Sequence, residues 1–131
     1  MFGKKKQPPI KSLIAQGTCI EGHLKFADGL RIDGEVIGDI RAGEGGSSIL
    51  VVSESAVVSG SIYADHVIIN GRVIGPVHAS ELLELQPKAK ISGDVSYKAL
   101  EMHQGAVISG QLRPAAPADA KPTLKLAANN Q

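Results

Sequence analysis

The segment Ile32-Asp-Gly-Glu-Val-Ile-Gly-Asp-Ile40 holds two overlapping copies of one pattern, aliphatic-x-Gly-x-aliphatic, sharing Val36. A second tandem stands at Ile69-Asn-Gly-Arg-Val-Ile-Gly-Pro-Val77. Single copies occur at Ile20–Leu24, Val58–Ile62, Ile91–Val95 and Ile108–Leu112, so eight fall within residues 20–112. Aliphatics two residues on either side of a glycine share one face of an extended chain, and the residues between them face the other way. Of the sixteen slots beside the glycines, only Ile37, Ile74 and Pro76 are apolar. The alternation therefore turns the aliphatics inward and the polar residues outward.

A longer period contains the short one. Leu83-x-Leu85 leads into the copy at Ile91, Leu100-x-Met102 into the copy at Ile108, and Leu50-x-Val52 into the copy at Val58. Gly22, Gly38, Gly60, Gly75, Gly93 and Gly110 mark one glycine per period, with spacings of 16, 22, 15, 18 and 17. The interval of 22 contains Ala42-Gly-Glu-Gly-Gly-Ser-Ser48, a composition that reads as a surface loop. Self-similarity of this length, with a period of two and no helical spacing, predicts an all-β parallel solenoid of about six windings. Each glycine is expected at a corner, where a side chain would not fit. At about 4.8 Å per winding the rod is roughly 25–30 Å long.

Composition agrees. Hydrophobic residues make up 43% of the 131, aromatics 3%, and there are fifteen glycines. β-branched residues and glycine favour strands joined by tight bends. Charge divides the chain into three parts: residues 1–16 carry four lysines and no acid, 17–112 seven Lys/Arg against twelve Asp/Glu, and 113–131 three against one. The expected organisation is a flexible basic arm over 1–16, a β-helix domain over 17–112, and a Pro/Ala-rich disordered tail over 113–131. An acidic body with few aromatics is a poor nucleic-acid surface, because phosphate binding needs clustered Lys/Arg. Cys19 is the only cysteine, so no internal disulfide forms, and it is expected as a small core residue. With no secretory segment and no apolar run near ~20 residues, the sequence points to a reducing cytosol and no spanning helix.

These residues resemble the bactofilins, polymer-forming bacterial cytoskeletal proteins. The two tandems, the remaining Ile-x-Gly-x-Val copies and the opening Met1-Phe-Gly-Lys-Lys-Lys6 carry the resemblance. It implies a right-handed, triangular β-helix with a hydrophobic interior. It also implies filaments formed without nucleotide or other cofactor, and a scaffold at the inner face of the cytoplasmic membrane that positions cell-envelope or cell-shape machinery. The partners so implied are further copies of the chain, anionic inner-membrane lipids, and cell-wall enzymes or membrane proteins.

A physical argument for polymerisation stands beside the resemblance. The terminal windings of a solenoid expose unpaired strand edges, and stable monomers cover them with caps. Neither tail reads as a cap, the alternative being that the tails fold over the ends, and the terminal windings stay apolar: Ile20, Leu24 and Phe26 at one end, Val107, Ile108 and Leu112 at the other. Such ends are expected to join end to end. Ile37 and Ile74 occupy the same outward slot in the two tandems, which reads either as a lateral contact or as two side chains tucked at corners. Met1, Phe2, Lys4, Lys5 and Lys6 suit an anionic lipid surface, the plain alternative being a solvated tail.

Catalytic chemistry has little support. The four histidines are His23, His66, His78 and His103; His66 follows Asp65, but neighbours in a strand face opposite ways, and His23 lies in an outward slot where a solvated imidazole is the default. No cysteine or histidine pair has metal-ligand spacing, and no GxxxxGK[ST] loop is present. The rival readings are a non-polymerising β-helix adaptor, with Leu124 and Leu126 as a docking segment, and an acyltransferase-like β-helix enzyme. A secreted adhesin or ice-binding solenoid would need threonine ladders, and Thr18 and Thr123 are the only threonines.

Overall fold

Alternating aliphatics form strands of two to nine residues, and bends at glycine and polar pairs wind them into a solenoid. The structure, a computed structural model, describes residues 10–43 and 47–114 and the two-residue strand at 123–124. Every strand pairing is parallel, and no helix is found among the described residues.

The strands stack on three faces. The first carries β1 (Ile10–Ile14), β4 (Gly29–Ile32), β7 (Ile49–Val52), the second halves of β9 (Ile62–Ile69) and β11 (Val77–Leu85), and β14 (Ala99–Met102). The second carries β2 (Cys19–Glu21), β5 (Glu35–Ile37), β8 (Val57–Ser59), β10 (Arg72–Ile74), β12 (Lys90–Ser92) and β15 (Val107–Ser109). The third carries β3 (Leu24–Phe26), β6 (Ile40–Ala42), the first halves of β9 and β11, β13 (Val95–Tyr97) and β16 (Leu112–Pro114). Each face has six levels, so the chain makes the six windings that the glycine spacing predicts. β9 and β11 bend through a corner without breaking, which joins the first and third faces into one eleven-stranded sheet. The second face is a separate sheet of six.

Inward residues stack in columns. Leu30, Leu50, Val67, Leu83 and Leu100 form one, and Val36, Val58, Val73 and Ile91 another; all are buried. Each such side chain contributes about 1.5–3 kcal/mol on burial. The corner between the second and third faces is the glycine column. Gly38, Gly60, Gly75 and Gly93 have φ of +142° to +153°. A Cβ at Gly60 would strike the Gly38 carbonyl one winding below. Glycine alone permits both this backbone conformation and the close approach.

Unequal corners explain the unequal periods. Between Gly60 and Gly75 the chain passes one corner inside β9 and a second at Asn70-Gly71, a spacing of 15. Between Gly38 and Gly60 six residues, 43–48, separate β6 from β7 and the four-residue turn 53–56 follows, which gives 22. The last residue of the expected surface loop departs from that expectation. Ser48 is buried, and its backbone N–H donates to Asp65 Oδ2 at 3.0 Å.

The expected boundary at residue 17 needs correction. β1 (Ile10–Ile14) pairs with β4 and completes the first winding, with Ile14 buried. The apolar positions Ile10 and Ile14 supply a first-face strand that precedes the first glycine motif. At the other end β17 (Thr123–Leu124) pairs with Ala99 and Leu100 of β14, as a seventh strand on the first face. The rest of the expected arm and tail, 1–9, 115–122 and 125–131, lies outside the described residues.

Candidate assembly surfaces

The inward columns run out to both ends of the rod. Ile20 and Leu24 at the first winding, and Met102 and Ile108 at the last, are only partly buried against the core. Leu112, in register with Val95, is 42% exposed, with no strand stacked on it among the described residues. Phe26 departs from the expectation for the first end. It is buried, and the Ala42 stacked on it leaves room for its ring. Val107 also departs. It stands in register with Lys90, on the outer side of the second face, so it does not line the end. Ile10 and Leu13 of β1 are exposed, and Leu13, in register with outward Arg31, lies on the outer side of the first face and does not line the end. The edges of β1, β2 and β3 at one end, and of β15 and β16 at the other, have no strand partner among the described residues. Among the described residues the β14 edge is covered, by β17, which departs from the expectation that the tail forms no cap.

Ile37 and Ile74 are exposed, at 42% and 46%, and are not tucked into corners. Both lie on the second face, one level on either side of Ser59. Cys19 corrects the core expectation: it is exposed on the same face, at the first level. Local desolvation, with the charges of Glu35 and Glu21, pushes its thiol pKa up. It is therefore a weak nucleophile at neutral pH. Met1, Phe2, Lys4, Lys5 and Lys6 lie outside the described residues.

The histidines occupy separate surfaces. His23 is exposed, 3.6 Å from Asp39. His78 stacks on Tyr63 at 5.5 Å, with the Arg41 guanidinium 4.6 Å from the same ring. His66 has a buried Nδ1 that finds no partner among the described residues, while Asp65 is engaged by Ser48 and Ser80. Sequence spacing missed one cluster. Ligand atoms of Glu84, Glu101 and His103 lie within 4.8 Å of one another, because parallel stacking sets Glu84 beside Glu101. Glu84 Oε2 already accepts from Gln86 at 3.1 Å and lies 3.3 Å from His103 Nε2, a network that accounts for the cluster as surface hydrogen bonding.

Corner carboxylates brace the stack. Asp39 Oδ1 accepts the Ser61 N–H, and Asp94 Oδ1 the Gln111 N–H, each at 3.0 Å and one winding on. The Ser61 N–H holds the Asp39 pKa below its usual value, and a hydrogen bond from Ser53 does the same for Asp33.

The described residues thus form a parallel β-solenoid with aliphatic columns and strand edges exposed at its ends and with histidines on separate surfaces. A family model described as "Bactofilin: Polymer-forming cytoskeletal" matches residues 12–113. The chain belongs to the bactofilin family. It is 31% identical over 111 residues to Bactofilin BacO of Myxococcus xanthus (strain DK1622), covering 85% of each chain. Against Bactofilin BacP of the same organism it is 26% identical over 101 residues, which span 77% of this chain and 40% of that one. A structure described as "Atomic structure of the cytoskeletal bactofilin BacA revealed by solid-state NMR" is similar, with TM-score 0.69 and 32% identity. That match covers 80% of this chain and 96% of BacA. Membership of a polymer-forming cytoskeletal family supports a scaffold that associates with itself.

Proposed function

We propose that the chain joins end to end into filaments without nucleotide and serves as a scaffold at the inner face of the cytoplasmic membrane. There it would position cell-envelope or cell-shape machinery. The observation that carries this reading is the pair of terminal windings, where inward columns and unpaired edges are both exposed. Joining them continues the columns of the second and third faces and pairs their open edges, at about 4.8 Å per step, and requires β17 to leave the β14 edge on the first face. Ile108→Asp is expected to abolish pelleting while leaving the circular dichroism of the fold unchanged. Filaments from that variant would contradict the interface.

The basic arm supports the membrane part. Each lysine near an anionic surface contributes about 1 kcal/mol and a buried Phe2 roughly 1.5–3 kcal/mol. One arm is weak, and a filament that presents many binds by avidity. Phe2→Ser combined with serine at Lys4, Lys5 and Lys6 is expected to abolish co-sedimentation with anionic vesicles while filaments persist.

The second reading, a non-polymerising adaptor, draws on β17, which occupies one edge of the last winding. A protein that stays soluble at every concentration until residues 115–131 are removed would favour it.

A further inference from the structure

The second face carries a symmetry that end-to-end joining does not use. Its outward residues form two columns of six levels: Cys19, Glu35, Val57, Arg72, Lys90, Val107, and beside them Glu21, Ile37, Ser59, Ile74, Ser92, Ser109. Acids occupy the first two levels, bases the fourth and fifth, and the Val57/Ser59 level between them is uncharged. The two exposed isoleucines sit in one column, equally far from Ser59, about 10 Å apart.

Elsewhere on the rod charges pair within the chain: Lys11–Asp28, Arg31–Asp33, Lys98–Glu81 and Arg113–Asp94 are examples. On the second face, Glu21, Glu35, Arg72 and Lys90 form no ion pair among the described residues. The face thus holds unpaired charge of both signs, segregated along the rod, around an exposed aliphatic pair.

We propose that this face is a lateral interface with a second copy of the chain, two-fold symmetric and antiparallel, its axis passing through the Val57/Ser59 level. Two dyads can bring a flat face onto itself. One runs along the rod and keeps the copies parallel; it sets each residue against the other column at the same level, so Glu35 meets Ile37 and Arg72 meets Ile74. The other runs along the strands and reverses the partner; it sets Glu35 against Arg72, Ile37 against Ile74, and Ser59 against Ser59. Only the second matches charge with opposite charge and aliphatic with aliphatic, and its isologous geometry makes each match twice.

The face is three residues wide and six strands long, roughly 300 Å². A stable dimer needs about 800 Å² per partner. Single subunits therefore pair weakly, and repetition along a filament supplies the strength. In this respect the inference rests on the proposed end-to-end filament, and pairing is salt-sensitive because its ion pairs lie at the surface.

The test is disulfide trapping at the axis. In a Cys19→Ser background, Ser59→Cys is expected to give a covalent dimer under mild oxidation, whereas Cys19→Ser alone gives none. Adding Glu35→Arg, or adding Arg72→Glu, is expected to cut trapping roughly ten-fold, since like charges then face each other. Both reversals together should restore it, because the dyad pairs them. Trapping indifferent to single reversals, or a double reversal that fails to restore it, would overturn the proposal and favour heterologous packing of different faces. Pelleting of the same samples reads the filament separately: filaments without trapping sink only the lateral face. Trapping in protein that never pellets sinks only end-to-end joining.

Discussion

At the residue scale the glycine column is the most demanding feature of the chain. Gly60 combines a φ of +153° with the Gly38 carbonyl where a Cβ would stand, whereas Gly22, with φ +125°, has open space there. Gly60→Ala is therefore expected to lower the unfolding free energy by more than the ~1–3 kcal/mol of backbone strain alone, and Gly22→Ala by no more than that strain; urea denaturation separates the two. Equal losses would remove the steric part of the argument. Leu50→Ala, at a fully buried position, is expected to cost about 2–5 kcal/mol. The corner carboxylates give a pH dependence of known sign. Asp33 and Asp39 have pKa values lowered in the folded state, so their contribution is complete above the ordinary carboxylate value of 3.8 and is lost as pH falls below it. Asp39→Asn should flatten the melting-temperature profile in that acid range, and an unchanged profile would show that the Ser61 hydrogen bond contributes nothing. Alternation made these inward and outward assignments legible. It also placed Cys19, next to inward Ile20, outward; the usual burial of free cysteine pointed the other way, and the pleat prevailed.

At the scale of elements, the repeat counted the windings correctly because each carries one corner glycine. The same marker hid β1. Gly22 lies after the second-face strand of its winding, so the first-face strand before it has no glycine motif to announce it. The polar Ser12, in register with inward Leu30, weakened the pattern further. Removing residues 1–9 is expected to leave the melting temperature unchanged, whereas removing 1–14 exposes the first-face side of Leu30 and Ile32 and lowers it. β17 was illegible for another reason: two residues inside a Pro/Ala-rich tail give no period. Its place on β14 means that it competes with a second copy for that edge. A chain ending at Pro114 is expected to assemble at a lower protein concentration than the full chain, as read by pelleting. A higher threshold would mean that the tail strand promotes joining.

At the scale of the whole molecule, the rod has three kinds of surface with different roles. Among the described residues its ends are apolar and open at every edge but that of β14, its second face is charged in a self-complementary order, and its remaining faces are laced by internal ion pairs. The terminal aliphatics Ile20, Leu24, Ile108 and Leu112 were legible in the sequence, whereas the burial of Phe26, the outward turn of Val107 and the β17 strand on one edge were not. The order of charge on the second face was not, because it depends on the register between strands fifteen to twenty-two residues apart. The most direct test of the account is high-speed pelleting of the purified full chain without nucleotide or metal, with negative-stain microscopy, beside Ile108→Asp. The expected result is filaments from the first and folded, soluble protein from the second. Folded protein that remains soluble from both, at every concentration and salt, would contradict end-to-end assembly.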